Sequence, residues 1–142
     1  MKYKLKEAFF DEVSGESYAA IQTPFGVFEG FAKLHPAETH PSSYAGCEYA
    51  EYRAIIKAVK AERQIIKAQL KTMEEYYNLI SNMKDFNAES APARKARRTI
   101  YALKEKIKEY NYNINALETK LKAAMNSRES FLKNLFKKKA KG

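Results

Sequence analysis

The spacing of apolar residues divides the chain into two differently patterned parts. Over the first 34 residues, apolar and polar positions alternate in short runs broken by turn formers. Residues 3–10, 18–23 and 27–34 read as three strands, with turns at Val13-Ser14-Gly15-Glu16 and Pro24-Phe25-Gly26 and with Phe28 and Phe31 as aromatic anchors. Three short strands in a meander cannot cover both of their faces, so helices or a partner chain must pack on one side.

Beyond the loop signals of HPAETHPSSYAG, residues 35–46, the period changes. From about residue 48 to residue 83, Tyr52, Val59, Ile66, Met73 and Ile80 recur every seven positions with Ile56, Leu70 and Tyr77 beside them. That is a helix of about 50 Å. KDFNAESA breaks it, and Pro92, preceded by Ser90 or Ala91, suits the first turn of a second helix running to about residue 136. The expected fold is α+β: an N-terminal antiparallel β-meander followed by a long antiparallel two-helix hairpin. The expected organisation is one domain, with meander and loop at 1–46, hairpin at 47–136 and a solvated basic tail at 137–142.

The second helix carries a fault in its seam. Ile100, Leu103, Ile107, Tyr110, Ile114, Leu117, Leu121 and Ala124 follow spacings of three and four, the next place falls on Arg128, and Phe131 and Leu135 resume the series. If the hairpin turns near Phe86 and Asn87, residues facing each other have numbers summing to about 174. Arg128 then lies level with AGCEYAEYR at the start of the first helix, and Arg53 faces the neighbourhood of Lys122. Two guanidinium groups converge where the sheet, the loop and the helix pair meet, an arrangement suited to bidentate binding of phosphate. The pattern equally allows Arg128 to pair with Glu48 or Glu51 across the hairpin, or with Glu129 and solvent.

Charge sharpens this division. The net charge is +9, yet residues 1–46 hold four Lys and six acids, −2, so residues 47–142 hold 22 bases and 11 acids, +11. The basic part is helical, and Arg94-Lys95-Ala96-Arg97-Arg98 concentrates cations in the first turns of the second helix, where the macrodipole favours acids. No Gly-rich phosphate loop, nucleophile elbow, HExxH or paired-Cys motif is present, which argues against an enzyme. His35, His40 and Cys47 match no zinc spacing, so no metal and no cofactor is expected. The start, MKYKLKEAFF, lacks the apolar run of a signal peptide, and no stretch has the length of a membrane span. A cytoplasmic protein is the default expectation. Tyr49, Tyr52, Tyr76, Tyr77, Tyr101, Tyr110 and Tyr112 offer more aromatic surface than one helix pair can bury, which predicts a homo-oligomer.

At TPFGVFEGFAKLHPAE, GCEYAEYRAIIKAVK and MKDFNAES the chain resembles a known family, the small phage proteins that defeat the type-one Thoeris system of bacteria. The resemblance covers nearly the whole chain. It implies an N-terminal β portion followed by long helices, assembly as dimers or trimers of dimers, and an anti-defence "sponge" in the host cytoplasm. Such a sponge binds, without cleaving, the cyclic ADP-ribose isomers made by TIR-domain sensors, above all glycocyclic ADP-ribose, with cyclic trinucleotides at a second site in some members. By resemblance, Tyr101 stacks on the adenine where the family has Phe, Asn111 helps hold the ligand, and Arg128 and Arg53 contact the phosphates. Tyr101 and Arg128 are 27 positions apart, about 40 Å on one helix, so only a two-fold partner could bring them to one ligand. This reading expects neither nucleic acid nor membrane as a partner. The alternative is a basic nucleic-acid-binding or virion-associated structural protein, motivated by the +11 helical portion.

Overall fold

A computed structural model describes residues 2–11, 13–33 and 43–141, with side chains for all of these except 43–45 and 128–141. The element order is β1 (Lys4–Phe10), β2 (Glu16–Thr23), β3 (Gly26–Lys33), α1 (Ser43–Ser81) and α2 (Ala91–Lys141). The strands form one antiparallel sheet in the order β1-β2-β3, followed by two long packed helices, so the α+β meander-and-hairpin architecture is as expected. No described helix is long and apolar enough to cross a membrane.

Two boundaries differ from the sequence reading. Helix α1 begins at Ser43, not near residue 48. Gly46, which reads as a breaker, is buried inside the helix against Ser17, so packing overrides its poor helix propensity. Helix α2 runs through the tail to Lys141, because the lysines and alanine there are good helix formers and no breaker precedes Gly142. The start of α2 is as read: the Ser90 hydroxyl accepts the Ala93 N–H at 3.4 Å, and Pro92 occupies the first turn, where a missing N–H costs nothing.

The chain divides into two compact units, Met1–Val59 with Ile114–Gly142 and Lys60–Asn113. In the first, the sheet seats one face on α1. Along β2 the residues Ser17, Ala19, Ile21 and Thr23 are buried at period two, and along α1 Ala50, Ala54 and Ala58 are buried at period four. Ala19 and Ala32 pack on Ala50, while Ile21 packs on Ala54 and Ala58 with Phe28 and Ile55 beside them. Small residues on both sides bring helix and sheet backbones close. A Cβ built on Gly30 would lie on the Ala50 carbonyl oxygen and 2.6 Å from the Ala54 amide nitrogen. Burial of Ile21 contributes about 2 kcal/mol, so much of the grip here comes from the contact density of the alanine ridge.

On the opposite face, cross-strand register aligns Phe9, Tyr18 and Phe31, with ring centroids 5.2 and 5.3 Å apart. β3 is an edge strand, and α1 covers it with two cations. Arg53 donates to the Phe31 carbonyl at 2.6 Å, and one turn on, the Lys57 ammonium lies 5.9 Å from the Phe31 ring centre.

In the second unit, the facing rule near 174 holds: Arg97 donates to the Tyr77 hydroxyl at 3.3 Å and Arg63 donates to Asn111 Oδ1 at 2.8 Å. Phe86 in the turn packs edge-on against Tyr77 at 6.1 Å, which closes the hairpin end. In the first unit, the Tyr49 hydroxyl donates to the Ala124 carbonyl at 3.4 Å, obeying the same rule.

Candidate functional site

Of the four residues singled out from sequence, Arg53, Tyr101 and Asn111 have described side chains, and each has neighbours of its own. Arg53, half-buried on α1, spends one Nη on the Phe31 carbonyl and places the other 4.0 Å from Met125 Sδ. The expected neighbourhood of Lys122 is thus met about one turn further along α2. Guanidinium carries five donors, so these two contacts leave others for an anion. Their structural share is testable: Arg53→Ala should lower stability by about 1 kcal/mol in urea denaturation, and a loss near zero would show that the edge contact contributes nothing.

Arg128 lies within α2, but its side chain is outside the described residues, as are His35 and His40 altogether. Among the described residues, no hydrogen bond or ring contact links any two of Arg53, Tyr101 and Asn111. Asn111 is exposed and accepts from Arg63. Its two amide hydrogens are left for other acceptors.

Arg63 is itself a residue that the sequence reading missed. It occupies the seam of α1 between Val59 and Ile66, the same kind of fault as Arg128 in α2. Here the fault has a cross-helix partner in Asn111, although the buried Nε of Arg63 makes no hydrogen bond. One position earlier, Glu62 is 7% exposed and its carboxylate lies beside the Tyr110 hydroxyl. The polar layer Glu62–Arg63–Tyr110–Asn111 therefore interrupts the apolar seam of the second unit at one level.

Tyr101 is 68% exposed and lines an open depression of about 410 Å³ with Arg97, Lys104, Ile100, Tyr77, Asn78 and one acid, Glu74. Residues 97, 101 and 104 follow the i, i+4, i+7 spacing of one helix face, so a ring stands between two cations. A nucleotide needs this pair of chemistries, a flat surface for its base and cations for its phosphates. Arg97 and Lys104 were legible from spacing alone, whereas Tyr77 and Asn78 come from α1 and required the fold.

A second cleft, of about 610 Å³, lies in the first unit between β1, α1 and α2, lined by Tyr3, Leu5, Glu51, Tyr52, Leu117 and Lys120 among others. Glu48 and Glu51 both border it, so its electrostatics disfavour a phosphate. Of the four expected ligand residues it contains none.

Among the described residues, three phenols are held above their ordinary range, in each case first by desolvation and then by a neighbouring carboxylate: Tyr3 by Glu51, Tyr18 by Glu29 and Tyr110 by Glu62. A raised folded pKa stabilises below the unfolded value near about 10 and is lost as pH rises through the folded one. Alkaline titration followed by phenolate absorbance should therefore show a limb above that pH coupled to unfolding. The triple substitution of these tyrosines by Phe should remove it. A limb unchanged in the triple variant would refute the assignment.

Comparison with protein families, with curated proteins and with solved structures finds no match to this chain.

Proposed function

We propose that the chain is a phage anti-defence protein that captures glycocyclic ADP-ribose in the host cytoplasm and holds it uncleaved, so that the effector of bacterial Thoeris immunity is not switched on. Cyclic trinucleotides are a second ligand class in this reading. The observation that carries it is the placement of Tyr101, exposed between Arg97 and Lys104 over an open depression, with the chemistry of a half-site for a base and its phosphates. The remainder of the pocket comes from a second subunit, whose Arg128 and Arg53 contact the phosphates of a ligand stacked on Tyr101 and held by Asn111. The assembly is a homodimer or a trimer of dimers.

Capture is stoichiometric, so it depends on affinity and amount and needs no catalytic group, metal or cofactor. Two charge-assisted phosphate contacts contribute about 1.5–3 kcal/mol each and a base stack about 1–3 kcal/mol. Before ordering costs these contacts are on the scale of tight binding, and each tenfold in affinity corresponds to about 1.4 kcal/mol.

Calorimetry with glycocyclic ADP-ribose tests the proposal. The expected result is saturable binding below micromolar ligand, with intact ligand recovered after the protein is denatured. Absence of binding at micromolar ligand, or recovery of an altered nucleotide, would sink it.

A further inference from the structure

The charge of the second unit is segregated between its two helical segments. Residues 60–90 carry five bases and five acids, whereas residues 91–113 carry seven bases and two acids, +5. These α2 cations are not scattered around the helix. Positions 97, 104 and 111, positions 94, 101 and 108, and positions 98, 105 and 112 form three adjacent columns at heptad spacing. Together they place Arg94, Arg97, Arg98, Lys104 and Lys108 on one flank with Tyr101 and Tyr112.

Most of this flank is turned to solvent. Tyr101 is 68% and Tyr112 is 74% exposed, the latter the most exposed tyrosine of the described residues. Among the described residues, neither ring makes a hydrogen bond or a ring contact. Two acids border the flank: Glu105 pairs with Lys108 at 3.1 Å, and Glu109 lines one depression with Lys108 and Tyr112; among the described residues, Arg97 alone of the flank's arginines is tied to another side chain, the Tyr77 hydroxyl. Tyr101 and Tyr112 stand three helical turns apart at nearly the same azimuth, about 16 Å along the axis. The flank thus presents two bare aromatic faces separated by a run of guanidinium and ammonium groups, with net charge opposite to that of a phosphate backbone.

We infer that this flank of α2 binds single-stranded nucleic acid, its cations tracking the phosphates and its two tyrosines stacking on unpaired bases a few nucleotides apart. An acidic protein would use the cations but not the paired rings. A duplex would hide the base faces that the rings require. The flank overlaps the small-ligand half-site at Arg97, Tyr101 and Lys104, whereas Arg94, Arg98, Lys108 and Tyr112 take no part in that pocket and can be tested apart from it.

The test is fluorescence anisotropy with a labelled oligo(dT) and the corresponding oligo(U), repeated across salt concentrations. Saturable binding near physiological salt is expected, with log affinity falling linearly in log salt by about 0.7 per phosphate neutralised. Arg94→Ala/Arg98→Ala should reduce that slope by about one or more. Tyr112→Ala should weaken binding about tenfold while Tyr112→Phe retains it, since the ring is what stacks. These exposed substitutions should leave glycocyclic ADP-ribose binding within about twofold of the parent chain, which separates failure of one reading from failure of the other. No saturable binding near physiological salt overturns the inference. So does displacement by polyglutamate as effective as displacement by unlabelled oligonucleotide with Tyr112→Ala without effect, which would identify a surface for acidic protein.

Discussion

Gly30→Ala is expected to cost about 3 kcal/mol of stability, enough to lower the urea midpoint severely or to prevent folding. The added methyl would meet the carbonyl oxygen of Ala50 and the amide nitrogen of Ala54, both backbone atoms of α1. A side chain in the way could rotate, but helix backbone cannot, so α1 must lift from the sheet. Lifting it opens the contacts of Ala50, Ala54 and Ala58 with Ala19, Ile21 and Ala32, which are the buried core of the first unit. Gly26→Ala is the matched control. Gly26 has φ near 129°, disfavoured for any side chain, but open space around the missing Cβ, so its cost is confined to backbone conformation at about 1 kcal/mol. If Gly30→Ala proves no worse than Gly26→Ala, α1 is not seated on β3 as described.

The same contact marks the boundary of what the sequence could reveal. Strands and helices were legible because their periods differ, two in the meander and alternating three and four in the hairpin, and because KDFNAESA and Pro92 separate the helices cleanly. The seam of α1 at Tyr52, Ile56 and Val59 was legible for the same reason. Its second apolar ridge, Ala50, Ala54 and Ala58, was not, since alanine signals burial weakly and becomes informative only opposite the small residues Ala19, Gly30 and Ala32. Gly46 misled by the same logic in reverse. A glycine outside a helix and a glycine wedged between helix and sheet look alike in sequence.

At the candidate site, the legible part was whatever one helix carries by itself. Arg97, Tyr101 and Lys104 share a face by spacing alone. Arg63 was also open to view as a seam fault, yet a series written every seven residues steps over the intermediate position it occupies. Its partner Asn111 lies 48 residues away, and no local pattern predicts that bond. The bond also bears on Arg128. It demonstrates that this hairpin can hold a seam arginine with a neutral partner, so a seam fault alone does not imply a ligand, and the assignment of Arg128 to phosphate rests on the proposed pocket.

That pocket makes a demand that few alternatives share. Tyr101 and Arg128 are separated by 27 helical positions, about 40 Å at the rise of an α-helix, so one ligand meets both only when they come from different subunits. Tyr101→Ala should weaken glycocyclic ADP-ribose binding about tenfold to a hundredfold through loss of the stack, and Arg128→Ala should do the same through loss of a charged phosphate contact. Each variant homodimer then carries two identical defective pockets. A mixed dimer differs: one of its pockets lacks both groups, and the other combines the intact Tyr101 of one chain with the intact Arg128 of its partner. Co-expressing the two variants should therefore restore full-affinity binding at about one quarter of the total pockets if subunits assort at random. Calorimetry reads this as a tight phase of about that stoichiometry over a weak background, and native mass spectrometry verifies that mixed dimers are present. Mixed dimers without a tight phase would mean that the two residues do not share a pocket. Parent-like affinity in Tyr101→Ala alone would remove the ring, and with it the observation on which the functional proposal stands.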